Sequence, residues 1–198
     1  MKNSLFDRTG KRKYLVARER LAFVRAACGE DSEVGAFCLT LAITGARISE
    51  VLALTMDRID SANRAIVFET LKQRERGIFR AVPAPSSLIR RLTQIRRAPR
   101  ARIWPWGRTY AWKSVKQVMR KAGIADWLCK PKALRHGFAV EAGQKLVPLN
   151  IIQRWLGHAR LETTAIYMNA LGVEERNLAR RVWGAVQEAI SRSDTRTP

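Results

Sequence analysis

Three short segments of this 198-residue chain carry side chains that could handle a phosphate if brought together. The first, residues 44–54, reads Thr-Gly-Ala-Arg-Ile-Ser-Glu-Val-Leu-Ala-Leu. Arg47 follows a glycine at a helix junction, and Glu50, three residues later, is spaced to pair with it and fix its guanidinium. The second, residues 130–136, reads Lys-Pro-Lys-Ala-Leu-Arg-His. Pro131 suits the first turn of a helix. Lys132 and Arg135 are then three apart on one face, where like charges repel and oppose the helix dipole. Each effect costs from a few tenths to about 1 kcal/mol, and a bound anion such as phosphate would offset both. The third, residues 156–167, sets His158 directly after Gly157 and Tyr167 nine residues on. A phenol is a covalent nucleophile when suitably activated. Singly, each segment also reads as ordinary structure: a helix-start ion pair, a solvated basic face, a packed tyrosine, a structural histidine.

The charge balance says what kind of partner to expect. Lys and Arg number 37 against 17 Asp and Glu, a formal charge of +20. A compact body with that excess repels itself unless it sits against a polyanion. Nucleic acid fits, since phosphate neutralisation supplies most sequence-independent affinity. A membrane surface is the rival, but no run approaches the roughly 18 apolar residues of a spanning helix. The best, residues 34–43, is interrupted by Gly35 and Thr40. The basic start of the chain has no apolar core of a signal peptide, so a cytoplasmic, nucleoid-associated protein is expected. Cys28, Cys38 and Cys129 are odd in number and scattered, and read as small buried hydrophobes rather than a disulfide frame. Two histidines and no paired cysteine motif leave no basis for a metal site.

The elements that must position these residues follow from periodicity. Residues 1–13 hold Lys2, Arg8, Lys11, Arg12 and Lys13 and read as a flexible basic arm. Tyr14, Ala17, Leu21, Val24 and Cys28 form one helical face. A second helix, capped by Asp31 or Ser32, ends at Gly45, and a short one spans residues 48–54. Residues 65–70 and 78–82 are β-rich, with a charged hairpin tip between them. Ser86 or Ser87 starts a helix with Leu88, Leu92 and Ile95 inward. Residues 109–122 form a two-faced helix, with Ala111, Val115, Val118 and Ala122 apolar and Lys113, Lys116 and Arg120 in a separate stripe. Further helices run from Pro131 to about Gly143, through Leu149, Ile152 and Leu156, through Leu161, Ala165 and Met168, and through Leu178, Val182 and Ala185. Tyr167 lies off its helix's apolar stripe. The expected fold is mainly α with a small antiparallel β-sheet, an α+β domain.

Together the three segments resemble the catalytic domain of the tyrosine recombinases, the phage integrase family, over residues from about 14 to 185. The family's first box, T-G-x-R-x-[ST]-E-[LV], matches residues 44–51. Its second, H-x-L-R-H, stands here as Lys132-Ala133-Leu134-Arg135-His136. Its third, L-G-H followed nine residues later by the tyrosine, matches His158 and Tyr167. A family lysine on a β-hairpin between the first two boxes corresponds to Lys72, with Arg74 and Arg76 close by.

The resemblance implies that Tyr167 attacks the scissile phosphate to form a 3′-phosphotyrosine, releasing a 5′-hydroxyl. Arg47 and Arg135 would hold the non-bridging oxygens, His158 would hydrogen-bond the phosphate, and Lys72 would protonate the leaving oxygen. No metal, ATP or other cofactor is needed, because the arginines supply the positive charge and the covalent ester conserves bond energy. A phenol's ordinary pKa is near 10, and neighbouring cations are expected to favour phenolate at the moment of attack. Lys132 stands where the family usually has histidine. It supplies charge and hydrogen bonds, but a lysine near pKa 10.4 does not shuttle protons readily at neutral pH.

The expected organisation is a basic arm (1–13), a catalytic domain (14–190) and a flexible tail (191–198), without a separate core-binding domain, as in the fimbrial switch invertases. The expected partners are double-stranded DNA, contacted along Lys113, Lys116 and Arg120, three further copies of the chain on two DNA sites, and an accessory DNA-binding protein. Residues 171–190 are the segment for exchange between neighbours. A type IB topoisomerase shares the chemistry, and a non-catalytic DNA-binding relative shares the charge.

Overall fold

A computed structural model describes residues 4–70 and 77–169, together with 179, 182 and 183. The expected Lys72 therefore lies outside the described residues, as does nearly all of the segment 171–190. The chain runs α1 (Ala17–Cys28), α2 (Ser32–Thr44), α3 (Ile48–Leu52), β1 (Ile59–Asp60), β2 (Ala65–Glu69), β3 (Phe79–Pro83), α4 (Ser86–Gln94), α5 (Arg108–Lys121), α6 (Pro131–Gln144), α7 (Leu149–Leu156) and α8 (Glu162–Ala165). A 3₁₀ turn, Ile166–Asn169, follows α8. The fold is mainly helical with one antiparallel sheet in the order β1-β2-β3, as the sequence implied. Among the described residues no helix is long and apolar enough to cross a membrane.

The central element is α2. Asp31 caps it, its carboxylate accepting from the backbone N–H of Glu33 and Val34 at 3.0 and 2.9 Å, and satisfies donors the helix cannot satisfy itself. Apolar on nearly every side, α2 is buried along most of its length, as such a helix must be. It packs against α1, α4, α5 and α6. The sheet rests on the same core: Ile66 and Phe68 of β2 and Val82 of β3 point inward, Ile66 opposite Val82. The core is filled out by Phe37 and Trp104, edge to face at 5.1 Å.

The first helix turns a different face inward from the one the periodicity suggested. Phe23 and Ala27 are buried, whereas Leu21 is half exposed and Cys28 is exposed. The reason is Arg20. It pairs with Glu141 of α6 and donates to the Ala42 carbonyl of α2 at 2.8 Å, so the inward seam runs through residues 20, 23 and 27. Cys28 is thus not the buried hydrophobe expected; Cys38 and Cys129 are. Nor does the segment before α1 run free. Leu5 is buried, Asp7 closes a turn by accepting from Thr9 and Lys11, and Arg12 pairs with Glu19 at 2.5 Å.

Gly45 ends α2 in the left-handed region at φ 64°. A Cβ there would meet the Phe138 ring at 2.5 Å. Gly45→Ala should therefore lose about 1–2 kcal/mol to the backbone and a further 1–3 to overpacking. Denaturant unfolding checks this: a midpoint within error of wild type would show that the turn does not need glycine.

Candidate active site

The site is built where α2, α3, β3, α6 and α7 end or begin. Arg47 is the N-cap of α3. The Glu50 carboxylate, three residues on, accepts from the Arg47 backbone N–H and from its Nη1, both at 2.7 Å. The pairing expected from the spacing is present, and it has a third member. Arg80 of β3 donates Nη2 to the same carboxylate at 2.7 Å, Nη1 to Thr70 Oγ1 at 3.0 Å, and Nε to the Trp155 carbonyl of α7 at 2.8 Å. The Glu50 side chain is 0% exposed and that of Arg80 5%. A carboxylate buried this deeply should resist ionisation. The two guanidinium groups and the Arg47 amide overcome that burial and hold its pKa below the usual range.

Arg135 is the fifth residue of α6, at the start of its second turn, and is aimed inward. It donates Nη1 to the Gly45 carbonyl at 2.8 Å and Nη2 to the Leu156 carbonyl at 2.7 Å. These are the C-terminal ends of α2 and α7, where a cation is favoured by the helix dipole. One guanidinium thus ties the first, second and third boxes together. Burial, and the repulsion of Arg47, lower its pKa to about 9, against the attraction of Glu50.

Gly157 closes α7 at φ 63°, and a Cβ there would meet Arg80 Nη1 at 2.9 Å. The turn delivers His158, whose Nδ1 lies 2.9 Å from Thr164 Oγ1. Fully buried Thr164 thereby sets the ring so that Nε2 faces away from it. Thr70, Arg80, Gly157 and His158 line an open groove between the root of the β2–β3 hairpin and α7.

Tyr167 differs most from expectation. Its helix was read as burying Leu161, Ala165 and Met168, with Tyr167 off the stripe. Instead Leu161 and Met168 are 43% and 44% exposed and Tyr167 is 3% exposed. The chain changes from α-helix to a tighter 3₁₀ turn at Ile166, which advances each residue by about 120° instead of 100° and breaks the stripe. Tyr167 sits in a satellite core with Leu5, Tyr14, Ala139, Ile152 and Leu156. Its ring stacks on His158 with centroids 6.3 Å apart, and its hydroxyl lies 2.9 Å from His136 Nδ1. Arg135 and Arg47 act to lower the phenol pKa, the direction expected of neighbouring cations, but burial raises it and outweighs them.

The structure thus brings together Arg47, Arg135, His158 and Tyr167, whose charges act on one another. Lys132, on the first turn of α6, is exposed, and its charge acts on His136. The α5 stripe stands apart: Lys113 is exposed, while Lys116 and Arg120 pair with Asp126 at 3.8 and 2.9 Å. Sequence reasoning missed Arg80, Thr164 and His136. The signal for Arg80 was an arginine sharing the inward register of Ile78 and Val82. His136 was visible in the second box without a role.

Comparison with known proteins gives the family and the fold. Residues 14–172 match the model of the phage integrase family. The chain is 28% identical over 177 residues to the tyrosine recombinase XerD of Mycobacterium leprae, covering 78% of this chain and 56% of that protein. It is 33% identical over 139 residues to XerA of Pyrococcus furiosus, covering 63% and 46%. It spans about half the length of these relatives. In fold it resembles XerH bound to a palindromic difH substrate after cleavage (TM-score 0.73, 22% identity, 91% of this chain and 57% of that). It also resembles the catalytic domain of bacteriophage HP1 integrase (TM-score 0.59, 20% identity, 78% and 86%). The chain belongs to the phage integrase family.

Two stability tests follow. Arg80→Ala strands the buried Glu50 carboxylate with Arg47 alone and should cost about 3 kcal/mol or more; a loss under 1 kcal/mol in chemical denaturation would contradict the bridge. Burial and nearby cations lower the pKa of His136 to about 4 and of His158 to about 3, from 6.5. Both rings, His136 buried and His158 half-buried, are held neutral, so their contribution is complete above about pH 6.5 and is lost as pH falls towards those values. Thermal midpoints between pH 7 and pH 4 should fall, less steeply in His158→Asn. Equal slopes would contradict the burial assigned to that ring.

Proposed function

We propose that this protein is a site-specific DNA recombinase that breaks and rejoins DNA through a 3′-phosphotyrosine at Tyr167. The observation that carries the reading is that buried Tyr167 and Arg135 and half-buried Arg47 lie near enough for both guanidinium charges to act on the phenol. The relatives XerD and XerA carry the name tyrosine recombinase, and XerH is described bound to its DNA substrate.

The roles follow from charge and geometry. Arg47 and Arg135 neutralise the non-bridging oxygens as the phosphorus becomes five-coordinate and gains negative charge. A planar guanidinium fork fits two such oxygens better than a point charge does. Both forks are held in advance, Arg47 by Glu50 and Arg135 by two carbonyls, so little reorganisation is needed at the moment of reaction. His158 donates to the phosphate. Lys72, two residues beyond the Thr70 that Arg80 holds, protonates the leaving 5′-oxygen. Lys132 adds charge at the mouth of the site. The phosphate approaches along the groove beside His158. This requires a small movement of the 3₁₀ turn, because Tyr167 is closed off in the DNA-free state. Arrival of the phosphate also replaces the apolar surroundings that now hold the phenol protonated. The α5 stripe of Lys113, Lys116 and Arg120 contacts the DNA backbone, with Asp126 giving up its partners to phosphate. The working unit is a tetramer on two DNA sites, joined through residues 171–190, with an accessory DNA-binding protein assisting.

A pool of nicked duplexes of random sequence, incubated with the protein in EDTA, should yield a covalent protein–DNA adduct that survives denaturation. Tyr167→Phe should yield none. Arg135→Lys keeps the charge but loses the fork, and should react at least about 100-fold more slowly. An unaltered rate in Arg135→Lys would contradict the fork. Relaxation of supercoiled plasmid without strand exchange would mark a topoisomerase instead, and absence of any adduct a purely binding protein.

A further inference from the structure

The reaction assigned to Tyr167 needs a group to take the phenolic proton, and the residue at the head of the second box is an exposed lysine. One turn further along α6, His136 faces inward, 9% exposed, with Nδ1 at 2.9 Å from the Tyr167 hydroxyl. That is hydrogen-bond distance for direct proton transfer. The rings lie 5.6 Å apart between centroids, tilted by 49°, which leaves the lone-pair edge of the imidazole towards the phenol.

We propose that His136 is the catalytic base of the cleavage step. As the phenolic oxygen bonds to phosphorus, its O–H bond breaks and the proton passes to His136 Nδ1. The P–O5′ bond then opens, and the 5′-oxygen takes a proton from the general acid. On rejoining, the 5′-hydroxyl attacks phosphorus and gives its proton back to the deprotonated general acid, the Tyr167–phosphorus bond breaks, and His136 returns its proton to the phenolate. The inference rests on the proposed nucleophile.

The surroundings keep the ring ready to accept. Lys132 and Arg135 on its own helix, Lys13 from the segment before α1, and burial all disfavour imidazolium. Tyr167 hydrogen-bonds it from the 3₁₀ turn, and His158 interacts with it from the turn after α7. The ring is therefore neutral at physiological pH. It is also a weak base until a negatively charged phosphate arrives among those cations and raises its basicity. Proton transfer is thereby tied to the presence of DNA. The substitution of lysine at position 132 is then consistent with activity, since the proton has another acceptor on the same helix.

Two measurements decide it. In the DNA-free protein, ¹⁵N spectra of the histidine rings should show His136 as the Nε2–H tautomer, with Nδ1 accepting from Tyr167. Protonated Nδ1 would overturn the proposal, since it has no lone pair to offer. For the reaction, duplexes recovered as adducts from the random pool serve as substrate. His136→Asn keeps a polar atom near the Nδ1 position without basicity, and should form adduct at least about 100-fold more slowly. Its rate should rise with pH towards the phenol's own ionisation, where the wild-type rate stays flat. A 5′-bridging phosphorothiolate, whose leaving group needs no acid, should rescue Lys72→Ala but not His136→Asn. A His136→Asn rate equal to or above wild type would overturn the base assignment and mark the contact as one that restrains the tyrosine. Rescue by the phosphorothiolate would overturn it in favour of an acid role. Failure of the wild type itself to form adduct would instead overturn the nucleophile, and the base with it.

Discussion

Glu50 is a carboxylate removed from solvent and held between Arg47 and Arg80, and the rest of the site depends on that arrangement. A single buried negative charge lets two guanidinium groups sit close together, with a third, Arg135, near enough to feel it. Through Arg80 the same carboxylate is joined to Thr70 at the foot of the hairpin and to the end of α7. Removing one partner of such a pair leaves an uncompensated charge in a poorly solvating place. Segments far apart in the chain are thereby locked to one another.

The second constraint is an excess of positive charge. Arg47, Arg80 and Arg135 lie about one carboxylate, and burial first, with the repulsion of Arg47 and Arg80 added to it, lowers the pKa of Arg135. The ends of α2 and α7 offset part of the excess by presenting carbonyls to Arg135. What remains is a net positive charge at the meeting point of the three segments. Burial and the neighbouring cations hold both histidines neutral, whereas at Tyr167 burial outweighs the same cations and keeps the phenol protonated.

Much of this was legible in the residues. The first box shows its glycine, arginine and glutamate at helix-junction spacing, and the Arg47–Glu50 pair follows from three residues of separation. Pro131 fixes the start of α6, but that Arg135 turns inward to the helix ends while Lys132 stays exposed was not legible. β2 and β3 were legible from their β-rich runs and the charged tip between them; β1, two residues long, was not. What was not legible depended on tertiary contact. Arg80 finds its carboxylate 30 positions away. Arg20 rotates α1 by pairing across 121 positions, which no local periodicity can show. Tyr167 is buried because a helix tightens into a 3₁₀ turn at its last residues, and a fixed helical period carries the pattern past that change.

The central claim is that the buried cationic cluster exists to present a phosphate to one phenol oxygen. The most direct test is to digest a trapped protein–DNA adduct with trypsin and nuclease and locate the nucleotide by fragment mass spectrometry. The account predicts a nucleotide esterified to Tyr167 within the peptide 161–176. A nucleotide on Tyr14, Tyr110 or any other residue would contradict it.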